Sequence, residues 1–316
     1  MPIISITHNS ERSIVLSRGL TDLLKFIASL MVAFGHYAGY ALSYTDNPIY
    51  RFIVMFAGNV GVALFFFISG YGLMMSEQKR HLTLFQFIKR RLSKVYLPVV
   101  FVSFIWQLFL WPSNAGIERI PHLIYATLWG FSDGILWFVK AIMLCYVLFR
   151  IYIYFKNKVG REFIALLIGT IVVYALVFYY FADWCAIAIP MFTLGVIISD
   201  YNRLSFDTLK SKWIIIILLA ITILYTILYV LLGNLYFKAL FNWYVIILLL
   251  IICVFYRIDV KIPSWMGEIS YDIYITHNKV INYLRPMCAY IGFWNFTLIT
   301  AIVSSLVYIL RKLFKI

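Results

Sequence analysis

The chain has 316 residues, of which 64% are hydrophobic and 13% charged, with a mean hydropathy of +0.91 and a formal net charge of +14. Apolar residues run through almost the whole length, which excludes a soluble domain with one apolar face per element and predicts an all-α polytopic membrane protein. The basic excess invites a nucleic-acid reading, but its distribution, described next, makes it a topology signal and leaves no nucleic-acid partner.

Residues 1–17 read as a short polar tail. They lack the charged start, apolar core and small-residue site of a cleaved signal peptide. Apolar stretches follow near 20–42, 51–75, 94–111, 135–155, 162–182, 184–199, 213–233, 239–256, 269–288 and 294–310, which predicts about ten transmembrane helices. The stretch 184–199 is short and holds Pro190, and 269–288 carries Asp272, His277 and Lys279. Residues 120–130 are too short to span and are expected at the interface. No polar stretch could bury a core of its own, so residues 1–316 are expected to form a single membrane-embedded domain. With the N-terminus inside, ten spans place both termini in the cytoplasm. Loops on that side then hold twenty Lys and Arg, Arg311 and Lys312 among them, and the other side only Arg51, Arg119, Lys238 and Arg285.

Within the first span, Asp22, Lys25 and His36 are costly residues for an apolar helix. At about 100° per residue, the step from Lys25 to His36 closes to within roughly 20°, so both face the same way, with Asp22 on the same stripe. His36 lies on the order of 16 Å further along the axis, deep in the bilayer. In the second span, Ser69 and Gly70 sit in a glycine-rich aromatic run and either line a substrate path or allow close helix packing. Arg90, Arg91 and Lys94 lie within two turns at the cytoplasmic mouth of the third span. Positive-inside bias accounts for charge there, but Arg91 and Lys94 share a face that suits an anionic phosphate ligand.

Trp137 and Lys140 are one turn apart and could flank a sugar, the alternative for Lys140 being a snorkelling side chain. Tyr274 and His277 are likewise one turn apart, and His277 either positions substrate or clamps helices. Asp133 and Asp272 could equally serve a site or cap helices, at the starts of the fourth and ninth spans. Cys145, Cys185, Cys253 and Cys288 lack paired spacing and are expected to be buried thiols. No metal site is indicated.

Six stretches, in order, resemble one family. Asp22-Leu23-Leu24-Lys25 followed by ten residues and His36 is similar to an arginine, ten residues, histidine pattern, with Lys25 in the arginine place. Residues 61–71, GVALFFFISGY, carry Ala63 where an acid is common, and Arg91-Leu92-Ser93-Lys94 before Pro98 is similar to a paired-arginine motif with lysine second. Residues 136–149, 190–198 and 267–281 are similar to its middle and C-terminal signatures. The family is acyltransferase family 3, integral-membrane enzymes that O-acylate sugars in bacterial surface polysaccharides.

The resemblance implies a multi-pass enzyme of the bacterial inner membrane that moves an acyl group, acetyl above all, from acyl-coenzyme A to a hydroxyl of a polysaccharide or lipid-linked glycan. Acetyl-coenzyme A is then a co-substrate, no cofactor is permanently bound, and polysaccharide-assembly proteins join lipid and glycan acceptor as partners. The nucleotide end would dock on Arg90, Arg91 and Lys94. His36 would be general base or acyl carrier, and Lys25, neutralised by Asp22, would hold a phosphate or the developing oxyanion. A transporter or exporter of a glycan or small metabolite, with Asp22, Lys25 and His36 as an ion relay, is the competing reading. A structural subunit of a polysaccharide machine is a third.

Overall fold

The computed structural model describes residues 3–6, 16–109, 120–129, 136–158, 162–200, 227, 235–255 and 258–314. Of the expected span at 213–233 only residue 227 is described, and Asp133 lies outside the described residues. The other nine expected segments are mainly helical where described, and the described residues are all-α apart from one short ribbon.

Helix α1, Arg18–Ala41, is capped by Ser17, whose Oγ accepts from the Leu20 N–H at 3.1 Å. In α2, Pro48–Lys79, Asn47 caps the start and Pro48 occupies the first turn, where its missing N–H costs nothing. A reciprocal Thr83–Gln86 capping box opens α3, Leu84–Arg91. A π-helical turn, Leu92–Tyr96, leads from there into α4, Leu97–Phe109. Pro98 accounts for the widening: it donates no N–H and its ring crowds the carbonyl of Lys94 in an α-helix.

The interfacial helix expected at 120–130 is α5, Ile120–Trp129, ten residues long. Next come α6, Leu136–Lys158, and α7, Glu162–Tyr180. The short sixth segment divides into one turn, α8, Asp183–Ala186, and the twelve-residue α9, Ile189–Asp200. The chain ends with α10, Leu235–Phe255, α11, Ser264–Leu284, and α12, Phe293–Phe314. Residues 3–6, read from sequence as tail, instead form strand β1, Ile3–Ile6, antiparallel to β2, Ile258–Lys261, so the ribbon ties the N-terminus to the entry of α11.

Among the described residues, α1, α2, α12 and most of α6 and α7 are long and apolar enough to cross a membrane. The outer face of α12 shows why lipid must be its solvent: Leu298, Ile302, Leu306, Ile309 and Leu313 recur at helical spacing and are all at least half exposed. Cys145, Cys185 and Cys253 are buried, whereas Cys288, in the turn after α11, is exposed, contrary to expectation.

Lipid tails are as apolar as leucine, so helix association here depends on close packing more than on burial. At the α2/α9 crossing Gly70 and Gly195 face each other's helix: a Cβ on Gly70 would overlap the Phe192 carbonyl oxygen, and one on Gly195 the Phe67 carbonyl oxygen. Backbone cannot yield as a side-chain tip can. Gly195→Val is therefore expected to destabilise the bundle by about 1–3 kcal/mol or more. A lowered thermal midpoint in detergent checks this, and an unchanged one would mean that the helices are not in this contact.

Candidate active site

At the end of the bundle that the basic loops assign to the cytoplasm, a cavity of about 410 Å³ opens between α1, α2, the π turn, α6, α11 and α12. Its charged walls come from Lys25, Lys94, Arg311 and Lys312, against one carboxylate, Glu268. Helix α2 contributes Phe65, Ile68 and Ser69, spaced to share one face, and α6 contributes Phe138, Ile142 and Tyr146. Tyr271 completes the wall and donates to the Val95 carbonyl at 2.6 Å, fixing α11 to the π turn that carries Lys94.

Lys25 Nζ donates to Asp22 Oδ1 at 2.9 Å, and Arg18 lies 3.7 Å from the other carboxylate oxygen. Gly267 makes room for this pair, since a Cβ there would overlap the Asp22 carboxylate. Arg91 is not on the cavity wall. Its guanidinium packs 5.4 Å from the Tyr146 ring and 5.5 Å from Phe87, directly behind a cavity-lining residue. Its Nε is buried with no hydrogen-bond partner among the described residues. Arg90, whose carbonyl accepts from Ser93, does not line the cavity either.

Arg311 and Lys312 are the residues that sequence reading assigned to topology alone. Arg311 makes a bidentate pair with Asp272, Nε to Oδ1 at 2.6 Å and Nη2 to Oδ2 at 2.7 Å. Lys312 sits 2.6 Å from Glu268, which also accepts from Tyr308 at 3.0 Å. Asp272 is thus no helix cap: α11 begins at Ser264, two turns earlier, and the carboxylate is wholly buried.

Beyond the cavity lies an aromatic layer. Tyr274 packs against Phe65 at 5.6 Å and Phe138 at 4.8 Å, and on its other side 5.9 Å from the His277 ring. His277 in turn lies 5.1 Å from His36, so α1 and α11 bring together two histidines that are far apart in sequence. His36 lies deep in the bundle but its residue is exposed on one side, while His277 is wholly buried. The stripe Asp22, Lys25, His36 therefore runs from the charged cavity to the histidine pair.

Three other sequence candidates lie elsewhere. Gly70 serves the α2/α9 contact, not the cavity wall. Trp137 is buried beside Phe138, and Lys140 lies 5.8 Å from the Phe181 ring. The cavity face of α6 is instead Phe138, Ile142 and Tyr146. Among the described residues, no group of three or more His, Cys, Asp or Glu side chains is placed to hold a metal ion.

Residues 21–310 match the family model described as an acyltransferase domain, which covers most of the chain. No curated protein and no solved structure shows significant similarity to it. A cationic cavity joined through aromatic side chains to a histidine pair, in a multi-pass membrane bundle, is the setting of that match, and the chain belongs to acyltransferase family 3.

Proposed function

We propose that the protein is an O-acyltransferase of the bacterial inner membrane that moves an acetyl group from acetyl-coenzyme A to a hydroxyl of a polysaccharide or lipid-linked glycan. The observation that carries this reading is the cavity with four cationic side chains and one carboxylate at the end the basic loops assign to the cytoplasm, joined through Phe65, Phe138 and Tyr274 to the His277–His36 pair. Multiple phosphates are best matched by several cations held in one low-dielectric site. The cavity takes the phosphate-bearing end of the donor, with Lys25, Lys94, Arg311 and Lys312 as contacts and Arg91 supporting Tyr146 from behind. The thioester arm then passes the aromatic layer toward His36.

At that point His36 takes the proton of the acceptor hydroxyl, whose oxygen attacks the thioester carbonyl. The new C–O bond forms, the C–S bond breaks, and the proton returns from His36 to the leaving thiolate. A glycan acceptor reaches His36 from its open side, and polysaccharide-assembly proteins are the expected suppliers of that acceptor.

The test is release of coenzyme A thiol from acetyl-coenzyme A by the purified protein in lipid vesicles, with and without envelope glycan extract. Thiol release that requires the extract supports acyl transfer. Lys94→Gln removes a cavity cation that has no ion-pair partner among the described residues. It is expected to raise KM for acetyl-coenzyme A about 5–10-fold with kcat nearly unchanged, as loss of a contact made equally in ground and transition states requires. If no acyl donor releases thiol or binds, the transporter reading takes its place and substrate flux is the next measurement.

A further inference from the structure

His277 has the features of a residue that acts on another side chain. Its Nδ1 lies 3.0 Å from the Ile273 carbonyl oxygen, one turn back on α11. A carbonyl only accepts, so Nδ1 carries the proton and, in the neutral ring, Nε2 presents a lone pair. That Nε2 is fully buried and has no hydrogen-bond partner among the described residues. A helix clamp would spend this atom on a neighbouring helix, but the α11/α12 hydrogen bonds are made by Thr276 with Ser304, Glu268 with Tyr308 and Asp272 with Arg311, and none uses His277. The ring beside it is that of His36, at 5.1 Å and tilted by 46°. His277 has no exposed surface of its own, whereas the His36 residue is exposed on one side.

We propose that His277 is a positioning residue for His36: its Nε2 accepts the His36 ring N–H and so fixes which His36 nitrogen faces the acyl acceptor. With the ring centroids 5.1 Å apart, the bond requires a rotation of the His36 ring, for which its open side leaves room. The same bond steadies the imidazolium that forms when His36 takes the acceptor proton. This rests on the reading of His36 as the base, and it adds a second residue, from another helix, that sets the tautomer of that base.

Two amide substitutions separate this role from simple packing. In His277→Asn the amide nitrogen can keep the bond to Ile273 but nothing reaches the Nε2 position, whereas in His277→Gln the amide reaches it and can offer an oxygen. With acetyl-coenzyme A and envelope glycan extract, His277→Asn is expected to lower kcat about 10–100-fold at unchanged KM for acetyl-coenzyme A, and His277→Gln to retain at least about a third of the activity. Acetyl-coenzyme A binding by both variants reports that they are folded. In a His36→Ala background, His277→Asn should cause no additional loss, because the residue acts through His36. Equal activities of the Asn and Gln variants, or the same loss with and without His36, would overturn the inference. Thiol release by the unsubstituted protein is judged separately, so the proposed reaction can survive that result.

Discussion

His36→Ala is expected to lower acyl transfer by about 10²–10⁴-fold while leaving acetyl-coenzyme A binding close to normal. The loss follows from what else is near the acceptor side. The second imidazole, His277, has no exposed surface and stands one ring further from the open side, so it is a poor replacement for the missing base although its Nε2 lone pair is free of a partner among the described residues. Lys25 lies eleven residues back toward the cavity and is held by Asp22 at 2.9 Å. Binding persists because the cavity cations and the histidine pair are separated by the Phe65, Phe138 and Tyr274 layer. The measurement is steady-state thiol release beside equilibrium binding of acetyl-coenzyme A. A His36→Ala protein with normal turnover would remove His36 from the chemistry, as base and as acyl carrier alike. Parallel loss of binding would instead place His36 among the donor contacts.

That first helix was also the most legible part of the chain. An ion or imidazole in an apolar helix must be satisfied by something, and the step from Lys25 to His36 places both on one face whatever the neighbours are. Span positions were legible for the same reason, since lipid demands long apolar runs. What packs against what was not. Nothing local distinguishes Ser69, on the cavity, from Gly70, on α9, because the difference is which neighbour each adjacent direction meets. Trp137 and Lys140 form a one-turn pair in sequence, but the helix presents Phe138, Ile142 and Tyr146 to the cavity, a rotation fixed only by tertiary packing. Arg311 and Lys312 were hidden by their own plausibility as topology signals: a basic helix end at the cytoplasmic surface already has an explanation. The proximity of His36 and His277 depends on α1 and α11 being neighbours, which helix periodicity cannot report.

Removing only one member of the Asp272–Arg311 pair is expected to be the most destabilising polar substitution in the bundle. Asp272 has no exposed surface, and Arg311 meets both of its oxygens at 2.6 and 2.7 Å. Taking either charge out of water is costly, and the partner offsets that cost only while the bidentate geometry is intact. Arg311→Met leaves a buried carboxylate facing apolar surroundings and is expected to cost about 3–5 kcal/mol. A second change, Asp272→Leu, removes the stranded charge, so the double variant should regain most of the lost stability although it has lost one more polar contact. Function should not follow the same course. Arg311 also lines the donor cavity, so the double variant should be stable in detergent yet bind acetyl-coenzyme A several-fold more weakly than the unsubstituted protein. Thermal unfolding and donor binding, measured on the single and double variants together, separate the two roles. Recovery of stability with full recovery of binding would mean that Arg311 serves only to neutralise Asp272, and would leave Lys25, Lys94 and Lys312 to hold the donor phosphates.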